Sequence, residues 1–267
     1  MKIRLIRHAT LKLEYAGHRL LVDPMLSRAG AMTAIDNSPN PRPNPLVELP
    51  EPVEDVLRGV EAVLVTHTHR DHWDAAAAEI IPKNMPLLGQ PEDEPKFRAA
   101  GFTNVTPIVK TAAGGYPTHT WGGITIHRTG GRHGTGEIGK KMAPVSGFVL
   151  RASGEPTLYI AGDTIWCEEV AGPLHEFHPA TTVVNAGGAR FLQGDPITMT
   201  PEDVIRVCQA APKTQVVAVH MDAINHCIVT REDLAFQLEA ERLRERVALP
   251  ADGEWVDVGI SEAPRKS

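Results

Sequence analysis

The chain has 267 residues, of which 42% are hydrophobic and 22% charged, with a formal net charge of -6. That length admits one large domain or two small ones, and the apolar fraction is enough for a sizeable core. The acidic balance disfavours nucleic acid as the main partner, and no segment has the uninterrupted apolar length of a membrane span.

The amino terminus, Met1 to Arg7, alternates charged and apolar side chains, which is a strand pattern rather than a signal peptide. Leu11 to Tyr15 and Leu20 to Val22 are further short strands, joined by a turn at Ala16-Gly17-His18-Arg19, and Asp23-Pro24 ends the third. Residues 27 to 52 include Ser38-Pro39-Asn40-Pro41-Arg42-Pro43-Asn44-Pro45, where proline forbids helix and central strand. The expectation there is a long loop that serves as a flap over a site or as a subunit contact.

Val53 to Arg58 reads as a short helix and Ala62-Val63-Leu64-Val65 as a buried strand. Asp74 caps a helix beginning at Ala75, and a helix from Glu92 to Ala100 ends at Gly101. Strands follow at Ile124 to His127, Gly147 to Leu150, Thr157 to Ile160, Thr181 to Asn185 and Gln215 to Val219. Thr200-Pro201-Glu202-Asp203 and Thr230-Arg231-Glu232-Asp233 are helix starts, the second leading into a helix over Leu234 to Val247. The whole reads as two sheets with helices outside. Cys167, Cys208 and Cys227 form no Cys-x-x-Cys pair, so reduced thiols in a soluble cytoplasmic protein are expected.

The densest chemistry lies in His67-Thr68-His69-Arg70-Asp71-His72, directly after the Ala62 strand. Residues two apart on an extended chain point the same way, so His67 and His69 can grip one ion from the strand end. Asp71 and His72 follow where the chain must turn and can face a second. Imidazole and carboxylate together suit zinc, iron and similar metals. Four ligands from one loop cannot close two metal shells, and three more candidates sit where later strands give way to loops: His133, Asp163 and His220. His226 competes with His220 for the last of these positions.

With that ordered set the chain resembles the metallo-β-lactamase fold superfamily, and the resemblance spans nearly its whole length. It implies an αββα sandwich of two mixed β-sheets flanked by helices, read as a single domain over 1–267. It also implies that His67, His69 and His133 hold one metal, that Asp71, His72 and His220 hold a second, and that Asp163 bridges both. Two divalent ions per chain are expected, zinc first, with manganese or iron as alternatives. Ile6-Arg7-His8-Ala9-Thr10 and Leu20-Leu21-Val22-Asp23-Pro24 are similar to the branch containing L-ascorbate-6-phosphate lactonase and related metal-dependent hydrolases.

The activity this implies is hydrolysis of a small ester, lactone or phosphoester by a metal-bridging hydroxide. Asp71 is the candidate to orient the hydroxide or pass a proton, and His226 is a second catalytic candidate. Lys140, Asn185 and Asn225 are candidate substrate contacts, each in a loop after a ligand-bearing or buried strand. Asp23 is a candidate outer acceptor for a ligand histidine, and His8, Trp73 and Trp166 are candidates to line the cavity or support ligands. The expected partner is a small molecule, with no nucleic acid and no membrane, in a possible homo-oligomer. The competing readings are a mononuclear iron oxidoreductase of the sulfur dioxygenase kind, a nuclease of the same fold, and a scaffold that keeps metals for stability.

Overall fold

The computed structural model describes residues 1–110 and 115–258. The chain runs β1 (Lys2–Arg7), β2 (Thr10–Tyr15), β3 (His18–Val22), α1 (Val53–Leu57), β4 (Ala62–Val65), α2 (Ala75–Ile80), β5 (Leu87–Gly89), α3 (Glu94–Ala99), β6 (Val105–Pro107), β7 (Thr118–Trp121) and β8 (Ile124–Thr129). It continues through α4 (Gly136–Met142), β9 (Gly147–Arg151), β10 (Leu158–Ile160), α5 (Glu168–Phe177), β11 (Thr181–Asn185), α6 (Pro201–Ala210), β12 (Gln215–Val219), α7 (Arg231–Ala240), β13 (Val247–Ala248) and β14 (Trp255–Asp257).

The strands form two seven-stranded mixed sheets, ordered β14-β1-β2-β3-β4-β5-β6 and β13-β12-β11-β10-β9-β8-β7. In the first, β3 to β6 pair in parallel; in the second, β10 to β13 do. The central parallel strands are covered on both faces, which is why β4 (AVLV) and residues 216–219 of β12 are continuously apolar rather than alternating. In β4, Ala62 and Leu64 face the other sheet while Val63 and Val65 face the helices. In β12, Val217 and Val219 face inward and Val216 and Ala218 outward.

Three apolar layers result. The middle one lies between the sheets and joins Leu5, Leu13, Leu20 and Leu64 to Phe148, Leu150, Val183 and Val217. The outer ones place Trp73, Ala77 and Phe97 against the first sheet, and Val170, Val204, Val207, Leu234 and Leu238 against the second. Tyr15 ties the sheets across the middle layer, its hydroxyl donating to the Leu150 carbonyl at 3.0 Å. The expected αββα sandwich is thus present, and among the described residues no helix is long and apolar enough to cross a membrane.

Helix starts follow the sequence closely. Asp74 accepts from the Ala77 amide, and Thr200 and Thr230 each close a reciprocal capping box with Asp203 and Asp233. The last helix is shorter than its sequence suggests: α7 ends at Ala240, and Val247 is the first residue of β13 beside β12. The apolar positions Leu243 and Val247 continue the helical spacing by accident, and burial against the second sheet decides the outcome. The segment Gly134 to Lys141, expected as a loop, contains the short α4.

Truncating Leu150 to Ala removes a fully buried side chain from the middle layer, and a loss of about 2–5 kcal/mol is expected. Thr230→Ala removes one cap and is expected to cost about 1 kcal/mol. Urea unfolding separates the two; equal losses would contradict the layer assignment.

Candidate metal centre

The ligand candidates all stand just beyond strand ends, on the side where the parallel strands of both sheets finish. His8 follows β1, His67 follows β4, His133 follows β8, Asp163 follows β10 and His220 follows β12. Ligands of open α/β sheets gather at carboxyl ends of strands because the loops there converge while the strands stay rigid.

The side chains converge as three overlapping groups whose ligand atoms lie within 4.8 Å of one another: His67, His69 and His133; His67, His72 and Asp163; and His8, Asp71, His72 and His220. Asp163 is central. Its Oδ2 lies 3.2 Å from His72 Nε2, 3.4 Å from His133 Nε2 and 3.8 Å from His67 Nε2, and its Oδ1 lies 3.2 Å from His220 Nε2. Asp71 Oδ2 is 3.7 Å from His220 Nε2 and 3.9 Å from His72 Nε2.

The donor set fits metal. His67 Nε2 faces His69 Nδ1 at 2.9 Å, and His72 Nε2 faces His220 Nε2 at 3.3 Å. Two imidazole nitrogens on one tetrahedral zinc would stand about 3.3 Å apart, given Zn–N of about 2.0–2.1 Å. The outer nitrogens of His67, His72, His133 and His220 are fixed as ligand histidines require. His72 Nδ1 donates to Asp23 Oδ2 at 2.8 Å, and His133 Nδ1 donates to the Ile197 carbonyl at 2.8 Å. His67 Nδ1 meets Thr66 Oγ at 3.0 Å, and Cys227 Sγ lies 3.5 Å from His220 Nδ1. Asp23, held in a left-handed conformation (φ 44), also accepts from the Thr66 amide and hydroxyl, each at 2.7 Å, which locks the start of the motif.

The remaining expected contacts divide. Asn185 is buried and donates to Asp163 Oδ1 at 2.6 Å, so it orients the shared carboxylate. His226 is buried at the rim of the cluster, outside the three ligand groups, with its Nδ1 unpartnered. Burial pushes its pKa down to about 4, leaving the ring neutral. Lys140 does not join the cluster: it is exposed on α4 and pairs with Glu137 at 2.6 Å. The side chain of Asn225 is likewise engaged with protein partners. Its Oδ1 accepts from the Ile35 amide and Asn44, its Nδ2 donates to Ser38 Oγ and the Pro39 carbonyl, and its own amide donates to Asn44 Oδ1. Trp73 packs on Phe97 and Phe102 rather than lining a cavity.

Those Asn225 bonds explain the proline-rich stretch. Residues 27–52 are clamped between the ligand loops, by Asn225 on one side and by Arg70 on the other, which donates to Thr33 Oγ1 and the Ala34 carbonyl. Arg7 adds bonds to the carbonyls of Met25, Ser27 and Val47. The loop is an anchored wall.

Comparison with known proteins bears on the same residues. The family model described as the Beta-lactamase superfamily domain matches residues 18–221, a span that holds every expected metal ligand. The UPF0173 protein YddR of Bacillus subtilis (strain 168) is 35% identical over 257 residues, covering 95% of this chain and 98% of that protein. The chain belongs to the UPF0173 family of the β-lactamase superfamily. Two solved structures are similar over 96% of this chain and 98% of their own. One is a possible metal-dependent hydrolase from Veillonella parvula DSM 2008, at TM-score 0.91 and 33% identity. The other is an isothiocyanate hydrolase from Delia radicum gut bacteria, at TM-score 0.88 and 38% identity. Other UPF0173 relatives carry the name metal-dependent hydrolase. This protein is a metal-dependent hydrolase.

The electrostatics give a pH test. Burial is the largest single effect on His72 and His220 and pushes both down, but the neighbouring acids together outweigh it: Asp163, Asp71 and Asp23 raise His72 to about 10, and Asp163 with Cys227 and Asp71 raises His220 well above its ordinary value. Burial pushes Asp71 and Asp163 up, and the facing imidazoles win, holding both well below the usual carboxylate range. The protonated His72 and His220 therefore stabilise the metal-free fold fully below the ordinary histidine value of 6.5, and this is lost as pH rises through the folded values. A bound metal must displace those protons. Its stabilising margin is expected to grow by about 1.4 kcal/mol per pH unit for each proton released between about pH 6.5 and 8.5. Thermal unfolding with and without zinc measures the margin; a flat one contradicts the ion pairs.

The wall gives a second test. Each hydrogen bond of Asn225 is worth about 1 kcal/mol, so Asn225→Ala is expected to speed protease cleavage within residues 27–52 by more than about tenfold. Unchanged cleavage would show that Asn225 does not hold the loop.

Proposed function

We propose that this hydrolase attacks a small, uncharged electrophilic carbon of the isothiocyanate type, R–N=C=S, at a centre of two divalent ions, zinc first. The observation that carries this reading is where the neighbouring cations point. Arg70, between ligand candidates, donates to Thr33 and the Ala34 carbonyl. Arg132, next to His133, is paired with both oxygens of Glu169 at 3.2 Å. Lys140 is paired with Glu137. A phosphoester or carboxylate substrate would be served by a cation turned inward, with a bidentate arginine the strongest form. The cations flanking these ligands are turned to protein partners instead. The full-length likeness to an isothiocyanate hydrolase agrees with a neutral substrate.

His67, His69 and His133 would hold one ion and Asp71, His72 and His220 the other, with Asp163 between them. Ions so held supply a hydroxide near neutral pH and polarise the electrophile. Asp163, kept ionised by four surrounding imidazoles, fixes the spacing of the two ligand groups. Asn185 prevents that carboxylate from rotating. His226, neutral and at the rim, offers a hydrogen bond to the substrate nitrogen or sulfur as charge develops there.

The net step is addition of water across the carbon–nitrogen bond. Oxygen bonds to carbon, the carbon–nitrogen π pair goes to nitrogen, and nitrogen takes one proton, giving R–NH–C(=S)–OH; the remaining hydroxyl proton then moves from oxygen to sulfur, giving R–NH–C(=O)–SH. Breaking its carbon–nitrogen bond, with the thiol proton passing to nitrogen, yields R–NH2 and O=C=S. Every atom of R–N=C=S and water is accounted for.

The test is metal quantification followed by parallel assays on benzyl isothiocyanate, a lactone, p-nitrophenyl acetate and bis(p-nitrophenyl) phosphate. Two divalent ions per chain and a kcat/KM for the isothiocyanate at least about a hundredfold above the others are expected, about 2.7 kcal/mol of discrimination. Asp163→Asn is expected to abolish turnover. Preferred hydrolysis of the lactone or phosphoester would overturn the substrate assignment. One iron per chain with oxygen consumption would overturn the hydrolytic reading itself.

A further inference from the structure

His8 lies within ligand distance of Asp71, His72 and His220. It comes from the first hairpin, far in sequence from all three. The β1–β2 register shifts between Leu5 and Arg7, and His8 itself adopts a left-handed conformation (φ 60). That conformation is costly for a residue with a Cβ, and such outliers persist where the surroundings impose them. Here the surroundings are the site. The His220 amide donates to the His8 carbonyl at 2.9 Å, and the His8 ring lies on the His220 ring with centroids 3.6 Å apart. His8 Nε2 stands 3.3 Å from Asp71 Oδ2.

By position alone His8 is a fourth ligand for the second ion. Its other nitrogen argues otherwise. His67, His72, His133 and His220 each have a partner for the outer nitrogen. His8 Nδ1 is buried with none. A ring that bound metal through Nε2 would carry its proton on Nδ1, leaving a buried donor unsatisfied at a cost of about 1–3 kcal/mol. A ring that carries its proton on Nε2 donates it to Asp71 and leaves only a lone pair at Nδ1.

We propose that His8 is a positioning residue rather than a metal ligand. Its Nε2–H holds one oxygen of Asp71, its carbonyl holds the His220 backbone, and its ring sets the His220 plane. Together these pre-form the ligand group of the second ion. The inference rests on the two-ion reading above and concerns a residue that reading does not use.

Two variants separate the contributions. His8→Phe keeps a flat ring against His220 and removes the donor to Asp71. His8→Gln restores an N–H at the Nε2 position. Zinc stoichiometry and competition with a chelator are the readouts. Wild type and His8→Gln are expected to hold two ions, while in His8→Phe one ion stays tight and the other weakens by about 10–100-fold. Equal affinity in His8→Phe and wild type would overturn the proposal, as would His8→Gln falling as far as His8→Phe.

Nitrogen-15 spectra of histidine-labelled, zinc-loaded wild type give a readout that needs no variant. A proton on His8 Nε2 is expected; a bare, metal-shifted Nε2 with the proton on Nδ1 would show a ligand and sink the assignment. Wild type that takes up fewer than two ions would sink the two-ion reading, and the His8 tautomer would still decide this one.

Discussion

The site depends on one buried carboxylate. Asp163 sits with 2% of its surface exposed and faces four imidazoles and the Asn185 amide. An isolated carboxylate there would be strongly disfavoured. It is tolerable only if donors and positive charge converge on it from several directions. The two-sheet architecture provides that convergence: the loop after β4 brings His67 and His72 from one sheet, and β8, β11 and β12 bring His133, Asn185 and His220 from the other. The imidazoles have the converse problem, since grouped rings repel when protonated and their facing nitrogens lack protons to share when neutral. A divalent cation answers both, which is why the arrangement reads as a metal centre.

Much of this was legible in the sequence, for physical reasons. Strands covered on both faces favour unbroken apolar or β-branched runs, so Ala62 to Val65, Thr181 to Val184 and Val216 to Val219 stood out. Capping residues identified the starts of α2, α6 and α7. The later ligand candidates were visible because the dense His67–His72 motif needs more ligands, and His133, Asp163 and His220 each stand where a strand gives way to a loop. Elements held by tertiary contacts alone were not legible. β5 and β6 have three residues each, too few to show a period. α5 contains Pro173, ordinarily a helix breaker, and forms because its Val170 and Leu174 bury against the second sheet. The same packing ends α7 early.

Within the site, the sequence separated ligand types well and supporting residues poorly. Lys140 and Asn225 were chosen for lying in loops near ligands, and both are engaged elsewhere, because chain proximity does not say which way a side chain turns. Asn225 has its side-chain amide and its backbone N–H occupied by residues 35–44, a pairing across 180 positions or more that no local pattern encodes. His8 is the opposite case. The sequence offers it only as a residue to line the cavity or support ligands, and the bulge and the register of the first hairpin turn its ring toward Asp71.

On the proposed reading, the anchoring of residues 27–52 bears on how a substrate is chosen. A flap that opens can admit bulky molecules and close on them; a wall pinned by Arg7, Arg70 and Asn225 cannot adapt at comparable cost. Arg70 matters twice. Because it donates to Thr33 and the Ala34 carbonyl, the cation in the middle of the metal motif holds the wall and is withdrawn from the reacting space. Recruiting it to an anionic substrate would break those bonds and loosen the wall together. On the proposed reading, the bonds that fix residues 27–52 also keep Arg70 turned away from the ligands, which agrees with a neutral substrate.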